Sequence, residues 1–278
     1  MKATLLFLVA VFILILSAPQ TTTAQQLSGR VYYRASNQIM IRIDSAEMSP
    51  EEIAEAHQIM KKPWERDFIL TFSQTESNWR QAETLDGSSD QSAGDELTIS
   101  LSGSGNEILY KNLIDQKYVQ EQEFMGREFL IQDALDPKNW ELTGETKKIG
   151  DYTAQKATFD QVIDSRRFSS GMEEMEQVKD TIRITVWFTP EIPVAHGPEN
   201  YFGLPGLILE VHNGGRAFYC EKIELNPTDN PVEIQIPKKG KVVSSEEFEQ
   251  MQSESIRQME NRYQGKPGES GKKIRVGG

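Results

Sequence analysis

The clearest alternation in the chain runs over residues 181–188. Ile182, Ile184, Val186 and Phe188 interleave there with Arg183, Thr185 and Trp187, the period-two pattern of a strand with one buried face. Shorter stretches of the same kind predict strands elsewhere. Residues 29–43 carry Val31, Tyr33, Ile39, Ile41 and Ile43, and residues 64–78 carry Phe68, Leu70 and Phe72. Residues 97–101, 107–112, 117–124 and 127–133 are further strand candidates, separated by turn residues. Residues 140–143 and 154–162 flank a Gly150-Asp151 turn. Residues 207–212 and 216–225 are joined by Asn213-Gly214-Gly215, a strong hairpin signal. A last strand is predicted at 232–236. The Ser-, Gly- and Asp-rich stretch 85–95 reads as a loop, and the charged stretch 165–179 as a solvated loop.

Two segments switch to a helical period. Ser49-Pro50-Glu51-Glu52 supplies a cap, a first-turn proline and a capping-box acid, and Ile53, Ala56 and Met60 then share a face up to Pro63. Ser244-Ser245-Glu246-Glu247 opens a second helix, with Phe248, Met251, Ile256, Met259 and Tyr263 along one stripe. Strand–helix–strand alternation is missing, which argues against a parallel α/β sheet. The fold expected is mainly β (α+β): a large twisted antiparallel sheet or half-open barrel covered by two helices. No internal repeat or Pro/Ser-rich linker divides it, so residues 25–264 are expected to form a single β-rich domain, with a fraying tail at 265–278.

The N-terminus changes the picture of where this domain works. Lys2 precedes an apolar run from Leu5 to Leu16, and Thr22 and Ala24 suit signal-peptidase cleavage after Ala24. Residues 1–24 are therefore expected to be a signal peptide. The product would be exported, to the periplasm, an outer-membrane-associated position or the medium. Without a Cys near the cleavage point no bacterial lipoprotein anchor is available. No other segment reaches the ~20 apolar residues of a membrane span, so no stable span is expected after cleavage.

Composition then narrows the partners. The chain has 278 residues, 37% hydrophobic and 26% charged, a globular balance. Its net charge is −12, and removing the leader leaves 29 basic against 42 acidic residues, a net of −13. Such a surface does not suit nucleic acid. The single Cys220 excludes an intrachain disulfide and a cysteine-rich zinc module, and its strand context reads as a small buried thiol.

Recognisable catalytic motifs are missing: there is neither a G-x-S-x-G elbow nor an H-E-x-x-H helix. Of His57, His196 and His212, only the last two are placed to meet, with Glu210 as a conceivable third ligand. No metal, cofactor or catalytic residue is assigned on that basis. The informative segment is 189–206, which holds Pro190, Pro193, Pro198 and Pro205 together with Ile192, Val194, Tyr201, Phe202 and Leu204. A connection this long inside a domain is usually functional or disordered. Its prolines restrict the unfolded chain and its apolar residues need burial, so it reads as an ordered strap packed on the sheet. Pro205-Gly206 suits a type II turn with positive φ at the glycine. Strict alternation would put Leu207, Leu209 and Val211 on one face and Ile208, Glu210 and His212 on the other. Trp187, Tyr201, Phe202, Glu210 and His212 are the candidate ligand-binding residues, with Trp187 and Glu210 framing a concave surface beneath the strap. The plainer alternative makes Trp187 core and pairs Glu210 with a neighbouring base.

Gly203-Leu204-Pro205-Gly206-Leu207-Ile208 resembles the signature of the GLPGLI family of exported Bacteroidetes proteins. The approach from Trp187 to Pro193, Gly197-Pro198, and the upstream run from Trp140-Glu141-Leu142-Thr143 through Ile149-Gly150-Asp151-Tyr152 to Lys156-Ala157-Thr158 are similar to that family as well. Ala154 stands where relatives often carry Cys. The family is largely uncharacterised, so the resemblance carries over no catalytic residues. Its strand order is also similar to envelope lipoprotein carriers, half-open barrels that shelter an acyl chain. The function expected is a non-enzymatic envelope protein that binds an apolar, lipid or peptide ligand on the concave face of its sheet. The alternatives are an accessory protein for an outer-membrane transport or secretion machine, and a hydrolase working through Glu210.

Overall fold

The computed structural model describes residues 27–37, 64–82, 107–167 and 176–264. They form strands β1 (Gly29–Asn37), β2 (Trp64–Phe72), β3 (Glu76–Gln81), β4 (Ile108–Asn112), β5 (Lys117–Phe124), β6 (Arg127–Ala134), β7 (Glu141–Ile149), β8 (Tyr152–Arg167), β9 (Glu176–Thr189), β10 (Leu207–His212), β11 (Arg216–Leu225) and β12 (Lys241–Val243), then helix α1 (Ser245–Gln264). The expected leader at 1–24, helix at 49–63, strands at 39–43 and 97–101, loop at 85–95 and tail at 265–278 lie outside the described residues.

All twelve strands belong to one open sheet in the order β12-β6-β5-β4-β3-β2-β1-β11-β10-β9-β8-β7. Strand β1 sits between β2 and β11, antiparallel to both. From there the chain meanders outward to β6, jumps to the far edge at β7, and meanders back. This makes the fold mostly β, as the alternation predicts, with one correction. The sheet is mixed rather than wholly antiparallel, because β12 pairs with β6 in parallel. Of the two expected helices, α1 is described, and the one expected at 49–63 lies outside the described residues.

The jump from β6 to β7 forces the sheet to curl. Ten inter-strand steps separate these strands, which at ~4.8 Å each would span ~48 Å if the sheet were flat. The chain from Ala134 to Glu141 can reach only ~24 Å when fully extended. The β6 and β7 ends must therefore approach each other, and the sheet rolls into a trough without closing into a barrel.

One face of that trough is the core. Val31, Leu70, Trp79, Leu109, Ile184, Val186, Phe188, Val211 and Phe218 pack there with Ile192, Val194, Tyr201 and Leu204 of the strap. Tyr118, Gln120, Gln122 and Phe124 alternate on the same face of β5, since Gln120 pairs with Leu109. Phe248 of α1 packs edge-on against Phe124 and Phe129, so the helix and the strap share the inner side. The predicted capping box is present: Glu247 N–H donates to Ser244 Oγ at 3.1 Å, and Ser244 N–H donates to the Glu247 carboxylate at 3.0 Å.

Two predicted stretches differ. Residues 165–167 and 176–179 continue β8 and β9 instead of belonging to a solvated loop, and 168–175 lie outside the described residues. The backbone register sets Asp164 opposite Lys179 and Arg167 opposite Glu176. Residues 232–236 form no strand. The Asn78 side chain brackets the backbone of Gln235, donating to its carbonyl at 2.8 Å and accepting its N–H at 2.7 Å. A side chain thus replaces the strand partner as this segment crosses the outer face toward β12.

Candidate functional site

The site is built by the strap, residues 189–206. It lies inside the trough, where Ile192, Val194 and Leu204 are each no more than 2% exposed. Two three-residue turns give it shape. Val194 N–H donates to the Ile192 carbonyl and Gly206 N–H to the Leu204 carbonyl, both at 2.8 Å. Pro193 and Pro205 sit at the two centres, where a fixed φ favours this turn. The type II turn expected at Pro205-Gly206 is therefore not formed, and Gly206 does not take a positive φ. Glycine is needed there for another reason: a Cβ would lie 2.2 Å from the Thr189 carbonyl oxygen.

A bulge in β10 ties the strap to the sheet. The register shifts between Ile208 and Glu210, so that Ile208 pairs with Phe188 but Glu210 with Trp187. The extra residue corrects the strict alternation predicted for this strand: Ile208 and Val211 face inward, and Glu210 and His212 face outward. The backbone of Ile208 is thereby turned to the strap and the core. Its N–H donates to the His196 carbonyl at 3.0 Å, and its carbonyl accepts the buried Tyr33 hydroxyl at 2.6 Å. Leu207 N–H donates to the Ile192 carbonyl, also at 3.0 Å. From the β6–β7 connection, Trp140 Nε1–H donates to the Phe202 carbonyl at 2.8 Å.

The fourth tie is a lysine. Lys111 of β4 is fully buried on the inner face, and its Nζ donates to the carbonyls of Gly197, at 3.0 Å, and of Glu199. Burial pushes its ammonium down to about 7, against the opposing pull of Glu199. His196 lies beside it and is also fully buried. Burial and then the Lys111 charge push this imidazole down to about 3, so it is neutral. The Ser73 backbone faces the ring without hydrogen-bond geometry, and neither ring nitrogen has a partner among the described residues.

Beyond the strap, the trough opens into a bowl of about 500 Å³. Phe68, Trp79, Leu109 and Tyr201 form its apolar part, with Phe68 and Trp79 stacked at 4.9 Å and 5°. Its charged part is Arg66, Glu107, Lys138, Glu199 and Arg216. Five amides, Gln81, Gln120, Gln122, Gln161 and Asn200, complete the wall. Glu199 accepts from Arg216 at 2.6 Å. Burial nonetheless holds the Glu199 carboxyl above its ordinary value, with Arg216 opposing. Glu107 is raised as well, by burial and then by the charge of Glu199.

Glu199 also has φ +45°. It is the first central residue of a turn from Pro198 to Tyr201, closed by Tyr201 N–H to the Pro198 carbonyl at 3.0 Å. Glycine normally occupies such a position, and a non-glycine there is strained.

The candidate residues from sequence fall on two faces. Tyr201 lines the bowl, with its hydroxyl accepting from Asn213 at 3.1 Å. Phe202 is 5% exposed and contributes its carbonyl to Trp140. Trp187, Glu210 and His212 share the opposite, outer face, because Glu210 pairs directly with Trp187. Glu210 accepts from Lys147 at 2.6 Å and meets His212 Nε2 at 2.5 Å, while the Lys147 ammonium lies 4.3 Å from the Trp187 ring centre. Burial raises the Glu210 carboxyl, but His212 and Lys147 outweigh it and hold the group below its ordinary value. The sheet separates His196 from His212. Among the described residues no group of three His, Cys, Asp or Glu side chains is arranged to hold a metal ion.

Lys111, Glu107, Glu199, Arg66 and Arg216 are not legible as site residues in the sequence. Lys111 carries one available signal, a lysine in the same strand phase as Leu109. Glu199 carries none, since its φ depends on the strap's ties.

Residues 140–210, from the end of the β6–β7 connection into β10 and including the strap, match the profile of a family described as "Protein of unknown function (Porph_ging)". That is about a quarter of the chain. No curated protein matches the sequence. Among solved structures, PNGF-II in a C2 crystal form is similar over 83% of this chain and 33% of its own, at 14% identity and TM-score 0.47. PNGF-II in a P21 form is similar over 83% and 34%, at 14% identity and TM-score 0.46. The chain thus spans about a third of the length of these solved structures. The strap and its flanking strands β7–β10 are the part of the molecule similar to the uncharacterised Porph_ging family.

Proposed function

We propose that the protein is an exported cell-envelope protein that binds a short peptide segment in the bowl beside the strap. The apolar leader at 1–24 and the resemblance to the GLPGLI family support export. Binding rests on the bowl itself. Ten of its fourteen lining residues are polar or charged. Arg216 pairs with Glu199 and Lys138 with Asp136, but an acyl chain would still strip water from a mostly polar wall and offer it no hydrogen bond in return, which is unfavourable. A peptide replaces that water with donors and acceptors of its own. Its backbone amides complement the Gln and Asn side chains, its charged groups complement the Glu and Arg side chains, and one apolar side chain can rest on Phe68. Within the site the carboxylate of Glu199 is held by Arg216, an arrangement suited to recognition. The Glu210 cluster lies on the other face and is closed on itself by Lys147 and His212.

The test is thermal melting of the leader-free protein with a panel of blocked tripeptides of varied central residue, and with palmitate. A ligand at a hundred times its Kd stabilises by about 2.7 kcal/mol, which for a chain of this size raises Tm by roughly 5–10 °C. At least one tripeptide is expected to produce that shift, and Arg216→Ala to remove it. A shift with palmitate alone, or with no peptide at any concentration, refutes the proposal.

A further inference from the structure

We propose that Lys111, buried out of sight of the bowl, is the latch that holds the strap turn and thereby sets the bowl's preference for ligand charge. This rests on the peptide-binding reading above and adds the residue that controls it.

The placement of Lys111 has no packing rationale. It occupies an inward position on β4, in the phase of Leu109, opposite Ser77 on β3 and Tyr118 on β5. Among the described residues no carboxylate oxygen accepts from its ammonium; its acceptors there are the carbonyls of Gly197 and Glu199. Those carbonyls bracket the sharpest point of the strap. Between them lies Pro198, and the second belongs to a residue at φ +45°. Strained backbone persists only where its surroundings over-determine it. Here the surroundings are the Tyr201 N–H on Pro198, the Gly203 N–H on Ala195 at 3.0 Å, and the two donations from Lys111. A cationic donor on a long stem is the group able to reach both carbonyls from the sheet.

The conformation so held has a consequence in the bowl. It aims the Glu199 side chain at Arg216 and brings its charge to bear on Glu107. With Glu199 in place the bowl presents three bases, Arg66, Lys138 and Arg216, and two acids. If the turn relaxed and Glu199 swung away, one acid would remain and the balance would move toward anionic ligands. Lys111 is thus a positioning residue that acts through Glu199.

The experiment compares wild type, Lys111→Met, Lys111→Arg and Glu199→Gln. One readout needs no ligand: amide hydrogen exchange at Tyr201 and Gly203, with Leu207 as internal control because its bond to Ile192 lies outside the turn. At pH 6, where the Lys111 ammonium keeps its proton, Lys111→Met is expected to lose roughly tenfold or more in protection at Tyr201 and Gly203, for the loss of two charge-assisted bonds, and little at Leu207. Unchanged protection at Tyr201 and Gly203 overturns the latch. The second readout is affinity for two blocked tripeptides, Ac-Ala-Lys-Ala-NH2 and Ac-Ala-Glu-Ala-NH2. Lys111→Met is expected to shift their affinity ratio by roughly tenfold toward the acidic peptide, as one charge at close range does, in parallel with Glu199→Gln. Lys111→Arg is expected to restore part of the wild-type ratio. A loosened turn with the wild-type ratio, where Glu199→Gln alters it, overturns the link to the bowl. If no tripeptide binds any variant, the binding proposal fails while hydrogen exchange still decides the latch. Should Lys111→Met not fold, through-hydrogen-bond couplings from Lys111 ¹⁵Nζ to the carbonyl carbons of residues 197 and 199 in wild type replace it, and their absence overturns the proposal.

Discussion

Stability should rise with pH above neutrality, and Lys111 is the reason. Burial holds its ammonium down to about 7 in the folded chain, against an ordinary value of 10.5. Between these values the folded chain has lost the proton while the unfolded chain keeps it. The unfolded state then binds more protons, so raising the pH favours the folded state. The slope for one such group is about 1.4 kcal/mol per pH unit, and over the whole window the gain is on the order of 5 kcal/mol, an upper limit. Below about pH 7 both states hold the proton and the contribution is flat. Cys220 acts in the other direction. Burial pushes its thiol up to about 12 from 9.0, so from about pH 9 the unfolded chain gives up that proton first and stability falls with a similar slope. Tyr33, also raised by burial, adds to the loss above pH 10. The wild-type curve should therefore climb from about pH 7 to 9 and flatten beyond it. Urea denaturation of wild type and Lys111→Met at pH 6, 7, 8, 9 and 10 separates the contributions, because the variant keeps Cys220 and Tyr33. The difference in unfolding free energy should be least favourable to wild type at pH 6 and then grow in its favour above pH 7 by about 1 kcal/mol or more per unit to pH 10. A difference independent of pH would show that the ammonium is not desolvated, and would refute the burial of Lys111.

Three further outcomes follow from geometry. Gly206→Ala drives a Cβ to 2.2 Å from the Thr189 carbonyl oxygen; it should lower stability by about 3 kcal/mol or prevent folding, more than the roughly 1–2 kcal/mol that a positive φ alone would cost an alanine, as urea denaturation will show. Tyr33→Phe removes a buried hydroxyl donating to the Ile208 carbonyl at 2.6 Å; the cost should be about 1–3 kcal/mol by denaturation, with exchange at the Ile208 amide speeding up. Asn78→Ala breaks both bonds to Gln235; limited proteolysis should then cut within residues 231–239 faster, while the strap amides keep their protection.

Much of the sheet is legible in the order of residues along the chain. The alternation over 181–188, the Asn213-Gly214-Gly215 turn and the Ser244 capping box all appear where local pattern puts them, because each depends on residues within a few positions. The strap is recognisable as ordered because its prolines and apolar residues are themselves local. The site is less legible. Tyr201 and Phe202 are candidates because they belong to the strap, and Tyr201 does line the bowl. Trp187 and Glu210 share a face, as the pairing of their strands allows, but it is the outer one and not the concave side beneath the strap.

The chain's own pattern determined which stretches become strands, where the strap lies and which of its residues must be buried. Tertiary structure decided the rest. A single extra residue at Leu209 reverses the facing of everything after it, and bulges leave no mark in a run of apolar residues. The curl of the sheet follows from a short β6–β7 connection meeting a jump of ten strands, a fact about topology. The bowl gathers residues from β2, β3, β4, β5, β8, β11, the β6–β7 connection and the strap, so its charges become neighbours only once the sheet has rolled. Lys111 is an ordinary lysine by sequence. It acquires a depressed ammonium and two carbonyl acceptors because strap and sheet together exclude water from it, and desolvation is a property of the surrounding volume rather than of adjacent residues.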